Sequence, residues 1–447
     1  MTSPGTLRGV ANWVQDPYIR AFGSLFLFRY VRSVVNAIAY YRARPTPIPA
    51  KPTYHPSDVT VVIPTVKIGT PDFECVVRTI LNHPIAALII TTAGEQALSQ
   101  FQEFKDKFTD SRVIHLHRQV PNRREQTAKA MPKVKTKIII LNDDHTFWPE
   151  RQLFVPSLLA PFETPCVGAV GPMLEARHCH YSISFRGFWN FVGMTYLIRR
   201  GHEFIATTEV DGGISTLSSR FAVFRTEIYG DPEFLKQYLN EYIMFGTVGP
   251  LNVDDDKFHT RWLTTHNWDI KIQSGPLSSM ETMLGEWPKF HDQCVRWNRT
   301  TFRSNPRVLL QEPMMWRRFP YTTYSIYLYS FVRFTLFYEI TMFWTLDAGL
   351  CANGVKRSTR VNALIFLGLW ILGLKVVKII PHLQKYPSDL VYLPGYFLFA
   401  AYCSFIKIWA MFTCWEQFWA TATNATNVKT TKRAFCRRGR RKRGSVN

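Results

Sequence analysis

Acidic residues are scarce in this 447-residue chain: 33 Asp and Glu stand against 54 Lys and Arg, a formal charge of +21. That deficit points to an anionic partner such as acidic lipid, nucleotide phosphate, nucleic acid or a polyanionic product. The eight cysteines form no C-x-x-C pair and no other metal-ligand spacing. A thiolate zinc site is thereby excluded, leaving the reduced thiols of a cytosolic or membrane-embedded protein. No internal repeat is apparent, which sets repeat architectures aside. The opening stretch "MTSPGTLRGVANWVQDPYIR" lacks the apolar core and small-residue cleavage site of a signal peptide. Two glycosylation sequons, at Asn298 and Asn424, fall where cytosol is expected and are read as chance matches.

Apolar and aromatic residues are abundant, at 46% and 15% of the chain, and imply a membrane component. Residues 1–20 form an N-terminal segment, and 21–41 have the length to span a bilayer. Arg29 and Arg32 inside that stretch would each cost about 2.5–3.5 kcal/mol at the bilayer centre, so an interfacial helix is an equal reading. A Pro-rich linker, 42–57, leads to an α/β domain over 58–300 with a mostly parallel sheet. Its β-branched runs "VTVVI", "ALIITT", "RVIHLH", "KIIILN" and "CVGAVG" alternate with helix-like segments. An interfacial helix is expected at 301–320 and transmembrane helices at 321–346 and 361–380. A third apolar run within 391–418, interrupted by Pro394 and Gly395, is read as interfacial or re-entrant. That keeps the basic tail of 419–447 in the cytosol, in line with the positive-inside tendency. Nine basic residues and no acidic one lie between Lys429 and Arg443. Such a tail is either solvated or in contact with anionic lipid.

Ligands of parallel sheets bind beyond the carboxyl ends of the strands. Asp143, Asp144 and His145 directly follow "KIIILN". Adjacent acids there serve as turn or cap residues, or as a divalent-metal site whose hard oxygens leave positions open for a diphosphate. His145 as a ligand would favour Mn²⁺ over Mg²⁺. Arg123 and Arg124, after "RVIHLH", are either solvated at a helix start or suited to bidentate phosphate binding. Asp254, Asp255 and Asp256 open another helix and would complement its dipole. Three adjacent acids also repel one another, which raises at least one pKa toward a value useful to a general base. Gly212 and Gly213, ahead of "RFAVFR", make a turn or admit a bulky acceptor close to the backbone. The Q-x-x-R-W spacing of Gln293, Arg296 and Trp297 is weak evidence alone, because such one-turn spacings are common on helices.

Jointly and in this order, these segments resemble the processive family-2 glycosyltransferases. That group includes the hyaluronan, chitin and cellulose synthases and the fungal type-2 glycosyltransferases implicated in capsule or cell-surface polysaccharide. The similarity runs from Val59 to Thr421 and implies a GT-A-like domain followed by interfacial and transmembrane helices. It assigns Arg123, Arg124 and Arg296 to the UDP diphosphate, and Asp143, Asp144 and His145 to Mn²⁺ or Mg²⁺. Asp256, beside Asp255, becomes the catalytic base. Gln293, Trp297, Gly212 and Gly213 fall to the acceptor, and Trp419 and Thr421, in "FWAT", to a gating segment. Two departures stand out. His145 replaces the second Asp of the metal motif, and the uridine-binding Asp after the second strand is missing from "IITTAGEQ", where Thr92 or Glu95 would substitute. The implied activity is processive, inverting transfer from a UDP-sugar to a growing polysaccharide, hyaluronan-synthase-like, by a plasma-membrane protein with a cytosolic catalytic domain. A glucan or chitin-like synthase and a lipid-acceptor transferase are the enzymatic alternatives. A membrane-anchored anion-binding protein is the non-enzymatic one, with nucleic acid not expected because clustered acids oppose it.

Overall fold

The β-branched runs form the strands expected of them, and five further strands join them. In chain order these are β1 (Val59–Thr65), β2 (Ala87–Ala93), β3 (Val113–Arg118), β4 (Ile138–Asn142), β5 (Thr146–Phe147), β6 (Val167–Pro172), β7 (Leu174–Ala176), β8 (Phe221–Arg225), β9 (Asp269–Gln273) and β10 (Met280–Thr282). The main sheet runs β3-β2-β1-β4-β8-β6-β9, with all its strands parallel except β8. Strands β5, β10 and β7 make a small second sheet. Val61 sits at the centre of the main sheet, opposite Leu88 on one side and Ile140 on the other. Val61, Ile63, Leu88, Ile90 and Ile140 pack on one face with Phe73 and Phe154. Val62, Ile89, Ile139 and Leu141 pack on the other with Phe224 and Trp262. Both faces are thus covered, which is why these strands read as continuous apolar runs. Each fully buried aliphatic side chain contributes roughly 1.5–3 kcal/mol.

The computed structural model describes residues 13–417 apart from 14 and 245. Trp419, Thr421 and the basic tail lie outside the described residues. Helix α1 (Pro17–Arg42) begins at Asp16, whose carboxylate accepts hydrogen bonds from the amides of Tyr18 and Ile19. Arg29 and Arg32 face protein rather than surroundings: Arg29 pairs with Glu339 at 2.7 Å and Arg32 with Glu203 at 2.8 Å. Next come α2 (Arg123–Ala130), capped by the Asn122 side chain, and the 27-residue α3 (Phe185–Asp211), about 40 Å long. Helix α4 (Asp255–Thr265) carries the acidic triplet at its start, and α5 (Lys289–Gln311) carries the Q-x-x-R-W residues. Helix α5 crosses the expected domain boundary at 300, so 301–320 is not a separate helix.

The apolar region departs from expectation twice. The run 321–346 is not one helix: short helical turns end at Arg333, whose backbone is extended, and α6 (Thr335–Ala352) starts afresh. Polar groups freed by such a break need partners. Lys407 donates to the carbonyls of Ser330 and Arg333, and the Ser404 hydroxyl accepts from the Leu336 amide. After α7 (Arg357–Val377), the third run is continuous as α8 (Leu393–Met411), because Pro394 and Gly395 lie in its first turn, where proline is tolerated. Among the described residues two stretches, Arg357–Val377 and Pro387–Met411, are long and apolar enough to cross a membrane.

Candidate active site

Beyond the carboxyl ends of β1 and β4 opens a cavity of about 790 Å³, and its lining includes Thr65, Arg123, Asp143, Asp256 and Arg296. Its floor is the turn after β4. The Asn142 side chain accepts from Trp148 Nε1 at 2.9 Å and donates to the Asp143 carbonyl at 2.8 Å, which bends the chain as it leaves the sheet. Candidate donor atoms of Asp143, Asp144 and His145 all lie within 4.8 Å of one another. His145 Nδ1 is 2.9 Å from Asp144 Oδ1, His145 Nε2 is 3.5 Å from Asp143 Oδ2, and Thr65 donates to Asp144 at 2.8 Å. Two carboxylates and an imidazole are a fitting donor set for Mn²⁺, and the carboxylates alone suit Mg²⁺. Burial would raise the Asp143 carboxyl, but Arg123 and His145 outweigh it and hold it at about 2, ionised and ready to ligate.

The acidic triplet divides its labour. Asp254 pairs with Arg303 at 2.6 Å, and Asp255 with Arg123 at 2.9 Å. Asp256 has no cationic partner within ion-pair distance among the described residues. Among the described residues its carboxylate accepts only from the Lys257 amide, at 2.8 Å. Burial and the neighbouring Asp255 charge raise its pKa. Lys257 is drawn down to about 8 by burial and donates to the Ser215 carbonyl.

The two adjacent arginines are placed differently. Arg123 lines the cavity but spends its donors on Asp143 (2.7 Å), Asp255 (2.9 Å) and the Ser219 carbonyl (2.6 Å). It therefore ties the turn after β4 to the acidic triplet. Arg124 is 1% exposed and bonds Glu241 and the carbonyls of Tyr238 and Val253. Helical geometry turns it away from the cavity, which corrects its assignment to the diphosphate.

The other expected residues also separate. Gln293, Arg296 and Trp297 line the cavity together. Arg296 meets no carboxylate among the described residues and remains available to an anion. Trp297 stacks on Tyr196 with ring centres 4.6 Å apart, and Arg220 lies 5.5 Å from its ring centre, so at most one indole face is open to a sugar. Thr92 is fully buried against His115 and His117, and Glu95 is exposed at a helix start; neither lines the cavity. Gly212, at φ +76°, ends α3 in the left-handed conformation, and a side chain on Gly213 would collide with Thr322. The glycine pair is therefore a helix terminus, and Ser215 and Thr216 reach the cavity instead.

Arg220 and Arg200 are among the cationic wall residues that were not singled out from sequence. Arg220 precedes β8, and the antiparallel register that pairs Phe221 with Asn142 sets it beside Asp143. Arg200 lies one turn after Tyr196 on α3. The signal for Arg220, an arginine just before a strand, becomes meaningful only once β8 is known to lie antiparallel to β4.

Comparison with known proteins agrees with this geometry. The family described as "Glycosyltransferase like family 2" matches residues 55–300. A type 2 glycosyltransferase of Zymoseptoria tritici is 34% identical over 406 residues, 91% of this chain and 84% of that protein. Its counterpart in Pyricularia oryzae is 32% identical over 409 residues, 91% of this chain and 83% of that one. Among solved structures, a mannosyltransferase from Pyrobaculum calidifontis, determined with GDP-mannose and Mn²⁺, superposes with a TM-score of 0.51 at 15% identity. That superposition covers 87% of this chain and 99% of the other and supports the GT-A-like fold. With more than half its length matched and relatives above 30% identity along nine-tenths of it, this chain is a glycosyltransferase of family 2.

Proposed function

We propose that the enzyme is a membrane-embedded, inverting and processive polysaccharide synthase that draws on a UDP-sugar. The observation carrying this reading is the shape of the cavity. It holds the metal-type cluster, the Asp256 carboxylate and the Gln293, Arg296 and Trp297 group, and it continues to Leu374, Lys378, Tyr396 and Trp409 near the apolar helices. Asp256 takes the proton of the attacking acceptor hydroxyl. Arg296 and Arg220 neutralise charge that builds on the departing diphosphate. A divalent cation held by Asp143, Asp144 and His145 supplies further neutralisation when bound. Direct displacement by one base-activated hydroxyl inverts the anomeric centre. Ile365, Phe366, Leu369 and Leu398 of α7 and α8 are exposed and apolar, as lipid-facing residues would be. Two crossings would return the basic tail to the catalytic side, as the positive-inside tendency favours.

The test is incorporation. Membranes containing the protein, given Mn²⁺ or Mg²⁺ and single or paired radiolabelled UDP-sugars, are expected to yield a long product that does not extract into organic solvent. Dependence on UDP-GlcNAc together with UDP-GlcA would identify a hyaluronan-like product, and sufficiency of one donor a glucan or chitin-like homopolymer. A single sugar on an organic-extractable acceptor would overturn processivity. A second expectation concerns metal choice: His145→Asp should lower the ratio of Mn²⁺- to Mg²⁺-supported activity roughly tenfold, since outer and inner ligand changes have effects of that order. An unchanged ratio would place the imidazole off the cation.

A further inference from the structure

Arg303, two turns beyond Arg296 on α5, is 5% exposed and touches two segments far apart in the chain. Its Nε and Nη2 grip the two oxygens of Asp254 at 2.6 and 2.9 Å, and Thr300 adds a hydroxyl at 2.6 Å. Asp254 sits at φ +59°, a left-handed conformation that a residue bearing a Cβ adopts only at a cost. That turn directs Asp255 toward Arg123 and leaves Asp256 unpaired in the cavity. The remaining arm of the same guanidinium, Nη1, donates to the carbonyls of Cys414 at 2.9 Å and Glu416 at 3.1 Å, just past the end of α8. One turn earlier on α5, Arg299 donates to the Thr413 hydroxyl at 3.0 Å and pairs with Glu416.

We propose that Arg303 is a positioning residue for glycosyl transfer: it holds the turn that presents Asp256 in register with residues 412–417, so that the base and the chain leaving the last apolar helix move as one unit. The inference rests on Asp256 being the base. A pair serving only as scaffold would need the carboxylate alone. Here one planar fork satisfies a strained turn next to the base and two carbonyls at a helix end, and its own helix also carries Gln293, Arg296 and Trp297. A displacement of residues 412–417 would therefore be felt at the base, one residue past the Asp255–Arg123 pair that anchors the triplet to the turn after β4.

The test uses the full chain and the UDP-sugar found by the incorporation assay. Arg303→Lys keeps the charge but cannot grip a carboxylate with two arms and reach the carbonyls as well. It is expected to lower kcat roughly ten- to a hundredfold, the scale of an ångström-level misplacement, with the donor KM and UDP binding unchanged. Arg299→Gln, which releases only the 412–417 side, is expected to lower kcat less and at the same KM. The double variant should be no worse than Arg303→Lys alone, because the two arginines act as one unit. Unchanged kcat in Arg303→Lys would overturn the inference, as would additive losses in the double variant or a fall in kcat matched by a rise in KM. Should Arg303→Lys fail to fold, Arg299→Gln decides alone: a lowered kcat at constant KM supports the coupling and an unchanged kcat sinks it. Full activity of Asp256→Asn would instead remove the base on which the proposal stands, whereas an inactive Asp256→Asn beside fully active clamp variants would remove only the clamp.

Discussion

Asp256→Asn is expected to lower sugar transfer by about 10³-fold, within the 10²–10⁴-fold that a positioned general base contributes. UDP binding should be retained. The amide keeps the size of the side chain and its bond from the Lys257 amide but cannot accept a proton. The loss corresponds to about 4 kcal/mol of barrier. The same residue fixes the sign of a pH effect. Burial, and after it the charge of Asp255, raises the Asp256 pKa above the ordinary carboxylate range, while Arg200 and Lys257 pull the other way. The reactive form is the ionised one, so activity is full above that raised pKa and falls as the pH drops through it. The acidic limb of the kcat profile should therefore lie above the ordinary carboxylate range and disappear from the residual activity of Asp256→Asn. Equal loss of transfer and UDP binding would assign Asp256 a structural role, and the base would have to be sought elsewhere in the cavity.

Which parts of this arrangement could be read from sequence follows from what each part depends on. The inner strands were legible because both faces of β1, β2 and β4 are buried and only β-branched and aliphatic residues satisfy that. Strand β9, "DIKIQ", was not, because Asp269 and Lys271 are only half covered and the stretch looks like loop until β6 is known to run alongside. The metal-type turn and the Q-x-x-R-W residues were legible as local patterns whose side chains do reach the cavity. Arg123 and Arg124 looked alike because adjacency carries no direction. The helix that begins at Asn122 sends one guanidinium toward the cavity and buries the other. The pattern alone did not distinguish the three acids, and only the family resemblance singled out Asp256; Arg303 and Arg123 neutralise the other two. Pro394 and Gly395 suggested a broken segment, yet a proline in the first turn of a helix removes no bond the helix would have made. The true break, at Arg333, is invisible locally because its partners, Ser404 and Lys407, come from α8.

Arg124 gives the second large expected effect, and it separates a folding role from a catalytic one. Its guanidinium is buried against Glu241, whose carboxylate also receives Arg261 and lies 3.7 Å from Arg307. Arg124→Met would leave a carboxylate short of one cation and strip two carbonyls, those of Tyr238 and Val253, of their donor. Breaking a buried pair on one side costs about 3–5 kcal/mol. Glu241→Gln should cost a similar amount, because it leaves buried guanidinium groups facing one another without a counter-charge. Both variants are expected to unfold at markedly lower temperature in detergent and to accumulate poorly, while the molecules that remain folded turn over with unchanged donor KM. Val253 directly precedes the acidic triplet, so a looser loop would show first as heat sensitivity of transfer. A raised donor KM at undiminished stability would instead return Arg124 to the nucleotide. The burial of its side chain and its three protein partners argue against that outcome, since a diphosphate would have to displace a carboxylate and two carbonyls to reach it.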